Sequence, residues 1–214
     1  MDLSHPLSSI APSLEAEALT VLARTATPLT GRRVAELARR GSHVRLSNAL
    51  DRLAQQGLVE VEPAGRAKLY RLNREHLLVP AITAALDATI ELRARLGEHI
   101  SGWRVQAVHA SLYGSMARGE AGPESDIDVL VVRSSRLSLK DAETWSGQLT
   151  HLESDVWRWS GNTLSWFETT IADLKRSAAA NEPIFASWRE DSIHLAGEPL
   201  TPMLRRLNVQ AGSR

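Results

Sequence analysis

The sequence predicts an α+β chain of two domains, and three observations carry that expectation. Charge is segregated: 25 Lys and Arg balance 25 Asp and Glu overall, yet residues 29–74 hold ten basic and four acidic side chains. Aromatics are segregated the other way, since all six Trp lie at or beyond Trp103 and Tyr70 is the only aromatic before it. Apolar residues recur at helical spacing in the first half, whereas Val129-Leu130-Val131-Val132 in the second reads as a buried strand. With 214 residues, 43% of them hydrophobic, the chain can fill two small cores.

Several classes are excluded or disfavoured. The longest apolar runs are only a few residues, far short of the roughly 20 that a membrane-spanning helix requires. The absence of Cys rules out a disulfide scaffold, a thiol nucleophile and a Cys-ligated zinc site. The seven His show no ligand spacing. Residues 1–13 carry Asp2 and Pro6 without a basic region or apolar core, so they read as a disordered tail of a cytoplasmic protein rather than a signal peptide.

In the first domain, expected over residues 14–74, Leu14, Ala18, Val21 and Leu22 mark a helix up to about Arg24. Thr30 reads as the N-cap of a short helix through Val34 and Leu37, ended by Gly41. Ser42 opens a third helix that buries Leu46, Leu50 and Leu53 and stops at Gly57. Leu58–Glu62 and Ala67–Leu72 alternate around Pro63-Ala64-Gly65-Arg66, a hairpin signal. Three helices and a hairpin make a winged helix-turn-helix, and the stretch resembles the winged-helix DNA-binding domains of bacterial regulators. Arg45, Asn48 and Arg52 fall in one stripe opposite the buried leucines, with His43 near the helix start. Arg suits guanine and Asn suits adenine in the major groove of double-stranded DNA. Arg66 and Lys68 at the hairpin tip would reach phosphate or the minor groove, and Arg32, Arg33, Arg39 and Arg40 would add phosphate contacts. The alternative is a winged helix used for protein contacts, with the arginines solvated.

Leu78, Ile82, Leu86 and Ile90, then Leu92 and Leu96, predict a linker or dimerisation helix within residues 75–98, starting near Val79 and ending at Gly97. A homodimer is expected from the uncovered apolar stripe.

The second domain, expected over residues 99–200 and followed by a tail over 201–214, carries the most informative stretch. A strand over Val105–Tyr113 leads into Gly114-Ser115-Met116-Ala117-Arg118-Gly119. A Pro123-Glu124-Ser125 turn then gives Asp126-Ile127-Asp128 at the start of a strand. Residues two apart in a strand share a face, about 7 Å apart along it. Two carboxylates so placed repel unless a cation lies between them, and hard oxygen ligands suit Mg²⁺ or Mn²⁺. Gly114-Ser115 offers backbone N–H groups and a hydroxyl after a strand, a ready phosphate site.

Gly-Ser-x-Ala-Arg-Gly followed by Ser-Asp-x-Asp resembles the signature of the DNA polymerase beta nucleotidyltransferase superfamily, in particular its minimal nucleotidyltransferases, among them bacterial antitoxins and drug-modifying enzymes. The resemblance covers about residues 100–200 and is specific from Gly114 to Val132. It implies that Gly114, Ser115 and Arg118 bind the phosphates of a nucleoside triphosphate such as ATP, and that Asp126 and Asp128 are metal-binding and catalytic. It also implies a third carboxylate on a neighbouring strand. The next expected strand, Thr163–Thr170 after a helix over about Ser138–Trp157, has Thr163, Leu164 and Ser165 where an Asp would fall, and Glu168 is its only acid. Three outcomes stay open. Glu168 completes the site, a substrate-side group supplies the role, or nucleotide binds without turnover. The Trp residues read as core, with Trp166 close to the site. The expected function is therefore a DNA-binding transcriptional regulator with a nucleotide-binding domain. The alternative is an active Mg²⁺-dependent nucleotidyltransferase acting on an acceptor hydroxyl of a small molecule or of a protein such as a toxin.

Overall fold

The structure, a computed structural model, describes residues 1–179 and 183–206. Two compact units divide it, one formed by Asp2 and Ser4–Ala88, the other by Met1, Leu3 and the chain from Thr89 onward.

The first unit contains α1 (Pro6–Ile10), α2 (Leu14–Ala23), β1 (Leu29–Thr30), α3 (Gly31–Leu37), α4 (His43–Gln55), β2 (Val59–Ala64), β3 (Ala67–Leu72) and α5 (Val79–Leu86). Caps set the helix starts: Ser13 Oγ accepts from Ala16 N, and Thr30 Oγ1 accepts from Arg33 N. The antiparallel sheet has the order β1-β3-β2, so a two-residue strand ahead of α3 flanks the hairpin. Leu22, Val34, Leu46, Leu50, Leu53 and Tyr70 form its core.

Residues 1–13 are not the disordered tail expected. Asp2 Oδ1 accepts from the Ser4 and His5 amides (3.2 and 2.9 Å), Arg39 holds Oδ2 at 2.6 Å, and α1 follows, burying Leu7. Isolated apolar residues among Ser and Pro gave no periodicity, but a buried carboxylate capping a turn orders them. The single helix expected from Val79 to Gly97 is likewise two helices, broken at Asp87 (φ −84°, ψ 1°). Ile82 and Leu86 pack on the first unit's core, whereas Leu92, Leu96 and Ile100 belong to the second's. The spacing of four continues across the break although the buried partners change.

The second unit contains α6 (Ala88–Ser101), β4 (His109–Tyr113), α7 (Gly114–Ala117), β5 (Ile127–Arg133), α8 (Leu139–Ser160), β6 (Leu164–Thr170), α9 (Ile171–Ala179), α10 (Pro183–Asp191), β7 (Ile193–Gly197) and α11 (Leu200–Arg206). The mixed sheet has the order β6-β5-β4-β7. β5 and β6 are parallel, and the other pairs are antiparallel. Parallel neighbours need a long crossover, which α8 provides, capped at one end by Ser138 and at the other by left-handed Gly161 (φ 70°).

Alternation along β5 divides two cores. Ile127, Val129 and Val131 pack with Leu96, Trp145 and Leu152, while Leu130 and Val132 pack with Leu174, Trp188 and Met203. The chain after residue 200 begins as a helix with Leu200, Met203 and Leu204 buried, so the expected tail is corrected over 201–206. Its remainder, 207–214, lies outside the described residues. Among the described residues no helix is long and apolar enough to cross a membrane.

Candidate functional site

The site is built where β4 ends and β5 begins. Tyr113, the last residue of β4, pairs with Asp128, and the chain turns into the single helical turn of α7. Gly114 makes that turn with φ +72°, a conformation that disfavours any Cβ. A Cβ there would also stand 2.4 Å from Asp128 Oδ2, so the carboxylate lies directly against the glycine backbone. By alternation Asp128 shares the face of Leu130 and Val132, and Asp126 lies two residues earlier, exposed, just before the strand.

The electrostatics follow from that placement. Burial raises the Asp128 carboxyl above the usual carboxylate range, the charge of Asp126 raises it further, and Ser165 and Arg118 act in the opposite direction. Burial and the Asp128 charge likewise raise the Tyr113 phenol. Two coupled acids beside a glycine turn offer hard oxygen donors to a divalent cation. Among the described residues no group of three or more His, Cys, Asp or Glu could hold one, so phosphate or water oxygens would have to complete the shell. Within those terms the residues present fit a divalent ion. Arg118 is exposed and pairs with Glu120 at 2.9 Å and Asp191 at 3.4 Å. Ser115 lies in α7, half-buried, and its carbonyl accepts from Glu120 N at 2.8 Å.

Register decides which β6 side chain stands beside Asp128. On β6, Ser165 pairs with Asp128, whereas Glu168 pairs with Val131. Glu168 and Trp166 stand on the opposite face from Ser165, where both line a cavity of about 490 Å³ with Arg133 and Trp145. Arg133 Nε donates to Glu168 Oε1 at 2.5 Å. The structure therefore does not bring Glu168 to Asp126 and Asp128, because three residues along a strand reverse the face. The same reversal removes Trp166 from the site.

Of Thr163, Leu164 and Ser165, where the sequence lacks the expected acid, the parallel register singles out Ser165 as the β6 side chain opposite Asp128. Sequence reading gave no role to Asn162, which is buried and bonded through its amide to the carbonyls of Pro123 and Ser125.

In the first unit, His43, Arg45, Asn48, Arg52, Arg66 and Lys68 are all exposed. The first four lie on α4, where Arg45, Asn48 and Arg52 stand opposite buried Leu46, Leu50 and Leu53 and His43 is the first residue; Arg66 lies in the β2–β3 turn and Lys68 in β3. They are not equally available. Arg52 pairs with Glu15, and Lys68 Nζ lies 2.9 Å from Asp51 Oδ1. Arg32 and Arg33 pair with Glu36, Arg39 with Asp2, and Arg40 with Glu17.

Comparison with known proteins bears on the second unit. Residues 100–183 match the family model described as nucleotidyltransferase domain, so such a domain is present there. No curated protein matches the chain. A solved structure of TrmBL2, an archaeal chromatin protein described as showing a novel mode of DNA binding, is similar at 15% identity. The likeness covers 86% of this chain and 77% of that one, with a TM-score of 0.31.

Proposed function

We propose that this protein is a DNA-binding regulator whose nucleotidyltransferase domain binds a nucleoside triphosphate with Mg²⁺ or Mn²⁺. The observation that carries the nucleotide half is the Asp128 carboxylate set against Gly114, with Asp126 beside it and Arg118 near enough to act on the Asp128 charge. In this reading Gly114 and Ser115 receive phosphate oxygens on backbone N–H groups and a hydroxyl. Asp126 and Asp128 hold the cation, and Arg118 exchanges its carboxylate partners for phosphate. The cation would neutralise the triphosphate and stabilise charge between attacking and leaving oxygens. The β6 residue opposite Asp128 is Ser165, so among the described residues that strand brings no third carboxylate beside the two acids to take a proton from an acceptor hydroxyl. Losing a general base costs roughly 10²–10⁴ in rate. Binding without rapid transfer is therefore favoured over an active transferase.

The DNA half rests on α4, which presents Arg45 and Asn48 outward from a buried leucine face beside a basic hairpin tip. Incubation of the full chain with each labelled nucleoside triphosphate and Mg²⁺, beside operator-binding assays, separates the two readings. The regulator reading expects divalent-dependent nucleotide binding that shifts DNA affinity without product. Product formation abolished by Asp128→Ala would replace it with the enzyme.

A further inference from the structure

Asp126 lies outside β5, exposed, so something other than strand pairing must fix its position. On its C-terminal side Ile127 N donates to Thr163 O at 2.8 Å, tying the chain to the segment entering β6. On its N-terminal side the turn is closed by Gly122 N donating to Ser125 Oγ (3.0 Å) and by Ser125 N donating to Gly122 O (3.2 Å). A side chain from outside the turn anchors it as well. Asn162 follows the left-handed cap of α8 and is 3% exposed. Its Nδ2 lies 3.1 Å from Ser125 O, 3.3 Å from Pro123 O and 3.2 Å from Met1 O, and its Oδ1 accepts from the Met1 amino group at 3.0 Å.

We propose that Asn162 is a positioning residue for Asp126, holding the 122–126 turn so that its carboxylate stands beside that of Asp128. This rests on the reading of the two acids as a cation site, and it deepens that reading. The chemistry asks for a primary amide. Converging carbonyls need hydrogen donors, which Asp lacks, and Ala would leave buried carbonyls unpaired. The backbone N–H of Asn162 is already used on Ser160 Oγ at 3.1 Å, so the side chain is oriented from both ends.

The test uses the full chain as wild type, Asn162→Ala, Asn162→Asp and, as a control for general destabilisation, the core variant Leu152→Ala. Two readouts are taken: amide hydrogen exchange at Ser125 and Ile127 against Leu112 and Leu130, and calorimetric binding of Mn²⁺·ATP. Both Asn162 variants are expected to speed exchange at Ser125 and Ile127 selectively and to weaken Mn²⁺·ATP by roughly 10–100-fold, the usual effect of removing a group that orients a metal ligand. Leu152→Ala should change exchange across the sheet and leave affinity nearly unaltered. Uniform exchange changes in the Asn162 variants, or unchanged affinity, would overturn the proposal. If wild type takes up no Mn²⁺·ATP, the cation reading falls, and the exchange pattern alone decides whether Asn162 holds the turn.

Discussion

Asp128 and Gly114 meet across the β4–β5 pair so closely that a Cβ on the glycine would stand 2.4 Å from Asp128 Oδ2. The glycine is thus required twice, for its positive φ and for the space the carboxylate occupies. Gly114→Ala is expected to strain the turn by about 1–2 kcal/mol and to displace the acid as well. Melting temperature should fall, and divalent-dependent nucleotide affinity should fall more than tenfold by calorimetry. A variant binding as tightly as wild type would remove Gly114 from the site.

Ser165 offers the converse test. Asp in its place would set a third carboxylate opposite Asp128. Without metal the added repulsion should lower the melting temperature by a few degrees, at about 2–4 °C per kcal/mol for a chain of this size. Saturating Mn²⁺ should restore it and give a larger thermal shift than in wild type. Equal shifts in the two proteins would mean that position 165 does not face the cation.

His109 makes stability depend on pH. It is fully buried in β4, with Nδ1 against Glu198 O at 2.8 Å and Nε2 against Ser111 Oγ at 2.9 Å. Burial pushes its pKa down to about 4 from 6.5. The unfolded chain therefore binds the extra proton first, so this contribution is complete above pH 6.5 and is lost as pH falls toward 4. Its size is about 3 kcal/mol, at about 1.4 kcal/mol per pH unit of displacement. Urea unfolding should show this slope in wild type and a flatter one in His109→Gln.

On the first unit, the expected DNA contacts differ in their prior engagements. Arg45 has no ion-pair partner among the described residues, and Arg45→Ala should cost about 1–3 kcal/mol in operator binding while relaxing sequence preference. Lys68 is held by Asp51, which also accepts from Tyr70 Oη at 3.1 Å. Asp51→Asn should tighten binding a few-fold and steepen the dependence of log affinity on log salt. Fluorescence anisotropy over a salt series reads both, and a flat salt response in wild type would count against DNA.

Much of this was legible in the sequence because it lay in local patterns. Leucine spacing placed α4, the Pro-Ala-Gly-Arg turn placed the hairpin, and Asp-x-Asp after a glycine turn placed Asp128 at a strand start, with Asp126 just ahead of the strand rather than on it. What escaped depends on partners distant in the chain. Glu168 looked eligible because it is the acid on its strand, but eligibility is decided by β5–β6 register, which puts Ser165 there instead. Asn162 escaped because its meaning lies in carbonyls some 40 residues away. The break at Asp87 escaped because the apolar spacing runs through it unaltered.

The most direct measurement is calorimetric titration of the full chain with ATP and the other nucleoside triphosphates, with and without Mn²⁺, for wild type and Asp128→Asn. The account predicts saturable uptake of at least one nucleotide that requires the metal and vanishes in the variant. No uptake by wild type, or equal uptake by Asp128→Asn, would contradict it.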